Sequence, residues 1–193
     1  MKKIIVIALI IGAAVTSSSA QSSFSIQYSI GFGGTVNKYV TSTSLRGATF
    51  EYKWYPQPNI SIGIDGGWNY FYERRPYDSY TSGSLTLSGI QFRYAHAVPL
   101  FVTTSYYLSP SNKINPFVGV GVGTMFVSRY TDMGIYRISE EDWHFAMKPE
   151  LGVRVDMSPD MDLIFGLRYN HAFATTDTSE QNYMTFNIGC VWK

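Results

Sequence analysis

Charge is scarce in this chain. Asp, Glu, Lys and Arg make up 15% of its 193 residues, against about 25% in soluble globular proteins. Long apolar runs are scarcer. After residue 20 no stretch approaches the ~20 residues that a membrane-crossing helix needs. Cysteine occurs once, at Cys190, which excludes an internal disulfide. There is no C-x-x-C or H-E-x-x-H spacing to suggest a metal, and no cofactor is expected. A basic excess is missing too, so nucleic acid is not an expected partner. What the chain has instead is aromatic residues, 16% of the total, led by 15 Tyr and 12 Phe.

Residues 1–20 read as a cleaved export signal. Lys2 and Lys3 precede the apolar core Ile4 to Val15, and Ser18-Ser19-Ala20 offers small residues for cleavage. Residue 21 is Gln, so a lipoprotein anchor is not expected. Loss of the leader takes the basic residues from 15 to 13 against 14 acids, a net charge of −1. Residues 21–193 are expected to form a single outer-membrane β-barrel domain.

Period-two alternation then runs through the chain. Ile90, Phe92, Tyr94, His96, Val98, Leu100, Val102, Thr104, Tyr106 and Leu108 make one apolar face. Val118, Val120, Val122, Thr124 and Phe126 resume it after the turn 109–116, with Gly119, Gly121 and Gly123 between them. Similar alternation predicts further strands from Phe24, Ala48, Ile60, Phe145, Leu163 and Tyr183. Short turns are expected at Pro56–Asn59, after Leu108 and at Ser158–Met161. Longer loops are expected at Gly34–Arg46, Arg74–Ser88, Thr131–Asp142 and Ala174–Asn182. Pro149 suggests a local bulge in the sixth strand. The pattern predicts an all-β fold, an eight-stranded antiparallel up-and-down transmembrane β-barrel, apolar outside and polar within. Closure leaves no unpaired backbone edge in lipid.

Aromatics gather at both ends of the strands: Tyr52, Trp54, Tyr106 and Trp192 towards the turns, and Trp68, Tyr70, Phe92, Tyr94, Phe126, Trp143, Tyr169 and Phe173 towards the loops. Together with "PFVGVGVG" and the terminal "FNIGCVWK", the pattern resembles the small outer-membrane β-barrel family that includes the OmpA transmembrane domain and OmpX. The resemblance implies the outer membrane of a Gram-negative bacterium, contact with its lipids including lipopolysaccharide, and a monomer. It also implies that the barrel-assembly machinery reads the last strand. Gly189 and Trp192 match the spacing of that strand, and either Trp192 serves as its final aromatic or a residue follows Lys193.

The inward parity collects Glu51, Lys53, Asp65, Glu73, Arg93, Lys148, Glu150, Arg154, Asp156 and Arg168. Glu51, Asp65, Glu150, Arg154 and Arg168 are the expected core of an interior polar network. Eight strands leave a lumen that side chains fill, so opposite charges there should pair into a plug. The counted register sets Glu150 level with Asn170, one diagonal from Arg168.

Three histidines, His96, His144 and His171, are the candidate bases. Lipid A deacylases of the PagL type are also small barrels and carry a His-x-Ser pattern, but His171 is followed by Ala172 and Phe173. Gly66-Gly67-Trp68 matches the lipocalin G-x-W on the third strand instead of the first, and is read as chance. No catalytic residue is assigned. The loops are the expected binding surface for an unidentified extracellular partner. Arg74, Arg75, Tyr77 and Tyr80 offer one surface, and Ile135, Tyr136, Arg137 and Ile138 another. A lipid A-modifying enzyme and a small-solute channel are the alternative functions.

Overall fold

A computed structural model describes residues 21–33, 39–82, 85–176 and 178–193. The expected signal at 1–20 lies outside the described residues. Eight strands follow in order: β1 (Gln21–Phe32), β2 (Gly47–Gln57), β3 (Ile60–Ser82), β4 (Leu85–Tyr107), β5 (Ile114–Met133), β6 (Tyr136–Ser158), β7 (Met161–Ala172) and β8 (Gln181–Trp192). Each pairs antiparallel with its neighbours in sequence, and β1 closes the barrel on β8 from Phe24↔Trp192 to Phe32↔Met184.

The parity of every strand is the expected one. Ile62, Ile64, Leu100, Val102, Val118, Val120, Val122, Leu151 and Ile188 are exposed on the outside. Glu51, Lys53, Asp65, Thr103, Lys148, Glu150, Arg168 and Asn187 are buried within. A soluble barrel would reverse this distribution. An apolar outer belt around a polar interior is stable only where the outside is lipid.

Three expectations need correction. The expected loops Arg74–Ser88 and Thr131–Asp142 are largely strand. Pairing between β3 and β4 runs to Ser82↔Leu85, and between β5 and β6 to Met133↔Tyr136. Pairing of β2 with β3 stops at Gly47↔Asn69 and that of β6 with β7 at Ala146↔Ala172. Beyond those points β3–β6 continue as a four-stranded sheet standing on one side of the mouth. The β5–β6 connection is only Gly134-Ile135, with Gly134 at φ +59°, the backbone that a tight hairpin asks of glycine in first position.

Secondly, Glu150 lies opposite Arg168 and not level with Asn170. The observed register differs from the expected one by two residues, which preserves the face and changes the partner. A register shift between Asp156 and Ser158, next to the turn, accounts for part of the offset. Thirdly, no bulge forms at Pro149. It pairs with Val120 in an unbroken register, and the β6–β7 offset is the same on either side of it.

Candidate functional site

Three sites follow from this frame: the lumen, the aromatic rim with its histidines, and the sheet that rises beyond the mouth.

The lumen holds a six-charge cluster from four strands. Lys53 lies 3.1 Å from Glu51 on its own strand and 3.4 Å from Glu150 across the barrel. Lys148 pairs with Asp65 and lies 3.2 Å from Glu150. Arg168 reaches Asp65 and Glu150 at 3.2 Å each, and Glu51 at 3.6 Å. The Ser105 hydroxyl donates to Glu150 at 3.1 Å, and the Gln27 amide donates to Glu51 at 3.2 Å. Three acids and three bases cancel, which a buried set of charges requires. Small residues on β5 make the room. A Cβ at Gly119 would sit 2.9 Å from the Glu150 carboxylate, and one at Gly121 3.2 Å from Lys148 Cε.

Of the five residues expected as the core of the network, Glu51, Asp65, Glu150 and Arg168 come together. Arg154 does not join them. It pairs with Asp162 nearer the turn end, where Lys193 lies 2.8 Å from both Asp162 and Asp156. Asp162 is absent from the expected network because the sequence pattern places the turn up to Met161 and begins the strand at Leu163. One step back along the inward parity of Ile164, Gly166 and Arg168 finds it. The hydroxyls of Tyr55 and Tyr107, 3.3 Å apart, lie between the two groups. A void of about 10 Å³ bounded by Ser25, Glu51, Lys53 and Tyr55 holds no more than one water.

Above the cluster the lumen is closed again. Phe71, Ala95, Ala97, Met125, Val127, Ala146, Ala172 and Tyr183 form an apolar plug, and Val40 of the β1–β2 loop is buried in it. Tyr39 lies under two guanidiniums, 5.1 Å from Arg93 and 5.2 Å from Arg129, and Arg93 donates to its carbonyl at 3.1 Å.

The histidines lie among rings and lumen side chains, and His96 Nε2 also comes within 3.4 Å of the Tyr130 hydroxyl. His96 accepts from the Trp68 indole at 3.2 Å and stacks on Trp68 and Tyr130. His171 packs against Tyr169 and Phe173. His144 faces the lumen, and its Nδ1 donates to the Phe173 carbonyl at 2.9 Å. Among the described residues no group of His, Cys, Asp and Glu is placed to hold a metal ion.

The raised sheet gathers part of the expected loop surface. Tyr77 and Tyr136 come from different hairpins, yet both line one open pocket of about 640 Å³ with Ile90, Phe92, Met133 and Ile135. Tyr77 stands at an odd position of β3, which would otherwise face the lumen side. The register shift between Arg75 and Asp78 turns it to the outer face, which is what a bulge does to the residues beyond it. Tyr77 is 73% exposed, Ile135 93% and Tyr136 56%. Arg137 grips Asp132 with two hydrogen bonds, at 2.6 and 2.8 Å, and covers the Tyr130 ring at 5.0 Å. These bonds hold the Asp132 carboxyl below the ordinary value. Arg74 is exposed opposite Phe92, whereas Arg75 turns to the other face, 3.4 Å from Glu73. The Tyr80 side chain lies outside the described residues. Nothing in the residue pattern marks Ile90 and Met133 as pocket walls, because the bulge that aligns them with Tyr77 leaves no trace in composition.

No family model matches the chain, and no curated protein does either. Solved structures do. Neisserial surface protein A matches at 12% identity and a TM-score of 0.56, over 91% of this chain and 99% of that one. Ail, the attachment invasion locus protein of Yersinia pestis, solved in complex with the heparin analogue sucrose octasulfate, matches at 12% and 0.55 over the same shares. A major outer membrane protein from Thermus thermophilus matches at 10% and 0.58, over 89% of this chain and 99% of that one. At such identities the likeness is one of fold, and the chain has the fold of these proteins, a small eight-stranded antiparallel β-barrel.

Proposed function

We propose that the protein is a non-catalytic outer-membrane barrel that acts by binding an extracellular partner at the raised end of β3–β6. The observation that carries this is the pocket between the two hairpins. Tyr77, Ile135 and Tyr136 are large, exposed and well beyond the apolar belt, where lipid does not cover them. Apolar surface held open to water on a strand-built support is the mark of a contact site. The cross-barrel ion cluster, the apolar plug and Val40 seated in it argue against a channel. His96 accepts from Trp68 at Nδ1, so its Nε2 carries the proton towards the Tyr130 hydroxyl at 3.4 Å and is no base for it; this argues against lipid A chemistry, since nucleophilic catalysis needs a free base beside a hydroxyl. The lipid-facing Trp192, stacked 6.3 Å from Phe24, supports β8 as the strand that the assembly machinery reads.

A photo-crosslinking residue at position 135, used on intact cells in the presence of candidate partners, tests the binding role. A discrete adduct is expected, and Tyr77→Ala with Tyr136→Ala should abolish it. An adduct that survives both changes, or none with any partner, refutes the pocket as the binding site.

A further inference from the structure

The sheet that rises beyond the mouth has two open edges. Among the described residues the last backbone bond on the far side of β3 runs from the Tyr70 amide to the Arg46 carbonyl, and that on the far side of β6 from the Phe173 amide to the Phe145 carbonyl, each 2.9 Å. Beyond them β3 and β6 pair only with β4 and β5. An open edge presents unpaired backbone donors and acceptors and can template a further strand. The two edges are not alike. On β3 the ladder is broken, because Pro76 has no N–H and the register shifts between Arg75 and Asp78. On β6 the register with β5 runs unbroken from Phe145 to Tyr136, with no proline, glycine or bulge in the span.

The Phe145 carbonyl turns towards β7 to meet Phe173. Backbone groups alternate sides along a strand, so Trp143, Glu141, Ser139 and Arg137 turn the same way. The Trp143 amide is taken: it donates to the Asp142 carboxylate at 2.8 Å, and Asp142 also accepts from Thr175 and Thr178 of the β7–β8 connection. Above that cap, Glu141, Ser139 and Arg137 turn their N–H and C=O groups to the open side, with no backbone partner there among the described residues. The side chains that flank this ladder are acidic. Glu141 shares the outer parity of Trp143. Glu140 lies on the opposite face, 3.0 Å from Arg129, with its side chain 63% exposed. Arg137, the one base of the span, is held by Asp132. The edge ends at Tyr136 and Ile135, which are walls of the hairpin-tip pocket.

We propose that the β6 edge takes an added antiparallel strand from an extended, basic peptide segment of the partner: two consecutive Lys or Arg residues, three further residues, then a large apolar one. Main-chain bonds to Glu141, Ser139 and Arg137 hold the segment, and its side chains select it. Consecutive residues of a strand face opposite sides, so the first base meets Glu141 on the outer face and the second meets Glu140 on the other. The apolar residue then comes level with Tyr136 at the pocket. A second copy of this chain fits less well. Its β6 would set carboxylates against carboxylates, and its β3 would bring Arg74 on a ladder broken at Pro76. The inference rests on the raised end being a binding surface and adds the chemistry of what binds there. The pocket alone would accept an apolar residue from a partner of any charge.

The probe is the capped, dye-labelled hexapeptide Lys-Lys-Thr-Val-Thr-Phe, titrated by fluorescence anisotropy against the folded barrel in phosphatidylcholine nanodiscs. One control replaces Lys-Lys by Glu-Glu. The other carries N-methyl groups at both threonines, whose amides would face Ser139 and Arg137. The basic peptide should bind at least about tenfold more tightly than either control. Ser139→Pro, tolerable on the open side of an edge strand, should weaken it about tenfold as well. Glu140→Gln with Glu141→Gln should erase the preference for Lys-Lys. Tyr77→Ala with Tyr136→Ala should lower affinity and keep that preference. Folding is checked by the mobility of the unheated barrel on gels. If Ser139→Pro fails to fold, the N-methylated peptide tests the ladder on the wild type. Equal binding of the three peptides, or binding of none, overturns the proposal. So does a dimer of the barrel that Ser139→Pro dissolves, which would make a second copy the occupant. A discrete adduct at position 135 alongside peptides that fail would remove the edge and leave the pocket standing.

Discussion

Replacement of Glu150 by Leu should destabilise the barrel through charge imbalance and not through lost volume. Glu150 touches all three bases of the lumen cluster, Lys53 at 3.4 Å and Lys148 and Arg168 at 3.2 Å each, and it accepts from Ser105. Leucine leaves three buried cations facing only Glu51 and Asp65. Breaking a buried ion pair by removing one partner costs about 3–5 kcal/mol, most of it the penalty of the charge left behind. Glu150→Gln should cost less, because the amide still accepts from Ser105 and from a base. The decisive variant is Glu150→Leu with Lys148→Met. It restores two acids against two bases, and Asp65 keeps Arg168. It should recover most of the loss, since apolar replacement of a complete buried pair is often neutral. Urea unfolding in lipid vesicles, followed by tryptophan emission, measures all three midpoints. If the double variant unfolds with Glu150→Leu, charge balance is not what holds the lumen.

Val120→Arg, on the lipid side near mid-belt, should lower stability in vesicles by about 2–4 kcal/mol; tolerance of this change would mean that the outer face does not meet hydrocarbon. Gly121→Ser should cost less than Gly123→Ala in the same unfolding assay. The former has side chains at 3.2 Å that can shift, whereas the latter drives its new Cβ into the Leu100 backbone carbonyl. Asp132 has a depressed pKa, so its grip on Arg137 is complete above the ordinary carboxylate value of 3.8 and is lost as pH falls below it through the folded value. Protease cutting at Gly134 should therefore be flat between pH 5 and 8 and rise only in stronger acid. In planar bilayers the protein should be electrically silent, and stepwise conductance would show that the plug opens.

Much of the barrel was legible because lipid on one side and a narrow polar lumen on the other impose opposite demands on alternate residues. Ile64 beside Asp65 and Leu167 beside Arg168 show this at single-residue resolution. The same cause explains what could not be read. Beyond the belt both faces of a strand meet water, so alternation loses its reason. Residues 74–88, with Arg, Asp, Ser and Thr in no regular order, then look like loop although the backbone of 74–82 and 85–88 goes on pairing. Register was half legible. Parity fixed that Glu150 and Arg168 face inward, but a slip of two residues preserves parity, and only the fold shows them opposite one another. For the candidate site, composition marked Tyr77 and Tyr136 as contact residues, but their meeting depends on a bulge and a two-residue hairpin that bring distant segments together.

The lumen cluster has a consequence in time as well as in stability. Its wall-to-wall bonds join residues far apart in the chain: 83 positions between Asp65 and Lys148, 97 between Lys53 and Glu150, and 103 between Asp65 and Arg168. None of them can form until β2 and β3 stand across from β6 and β7, which is when the ring is nearly complete. Interactions absent from the transition state leave the folding rate alone and slow unfolding. The cluster is then a latch set after closure, and its yield is persistence: a barrel that, once in the membrane, comes apart on a timescale set by prising its salt-bridged walls from one another.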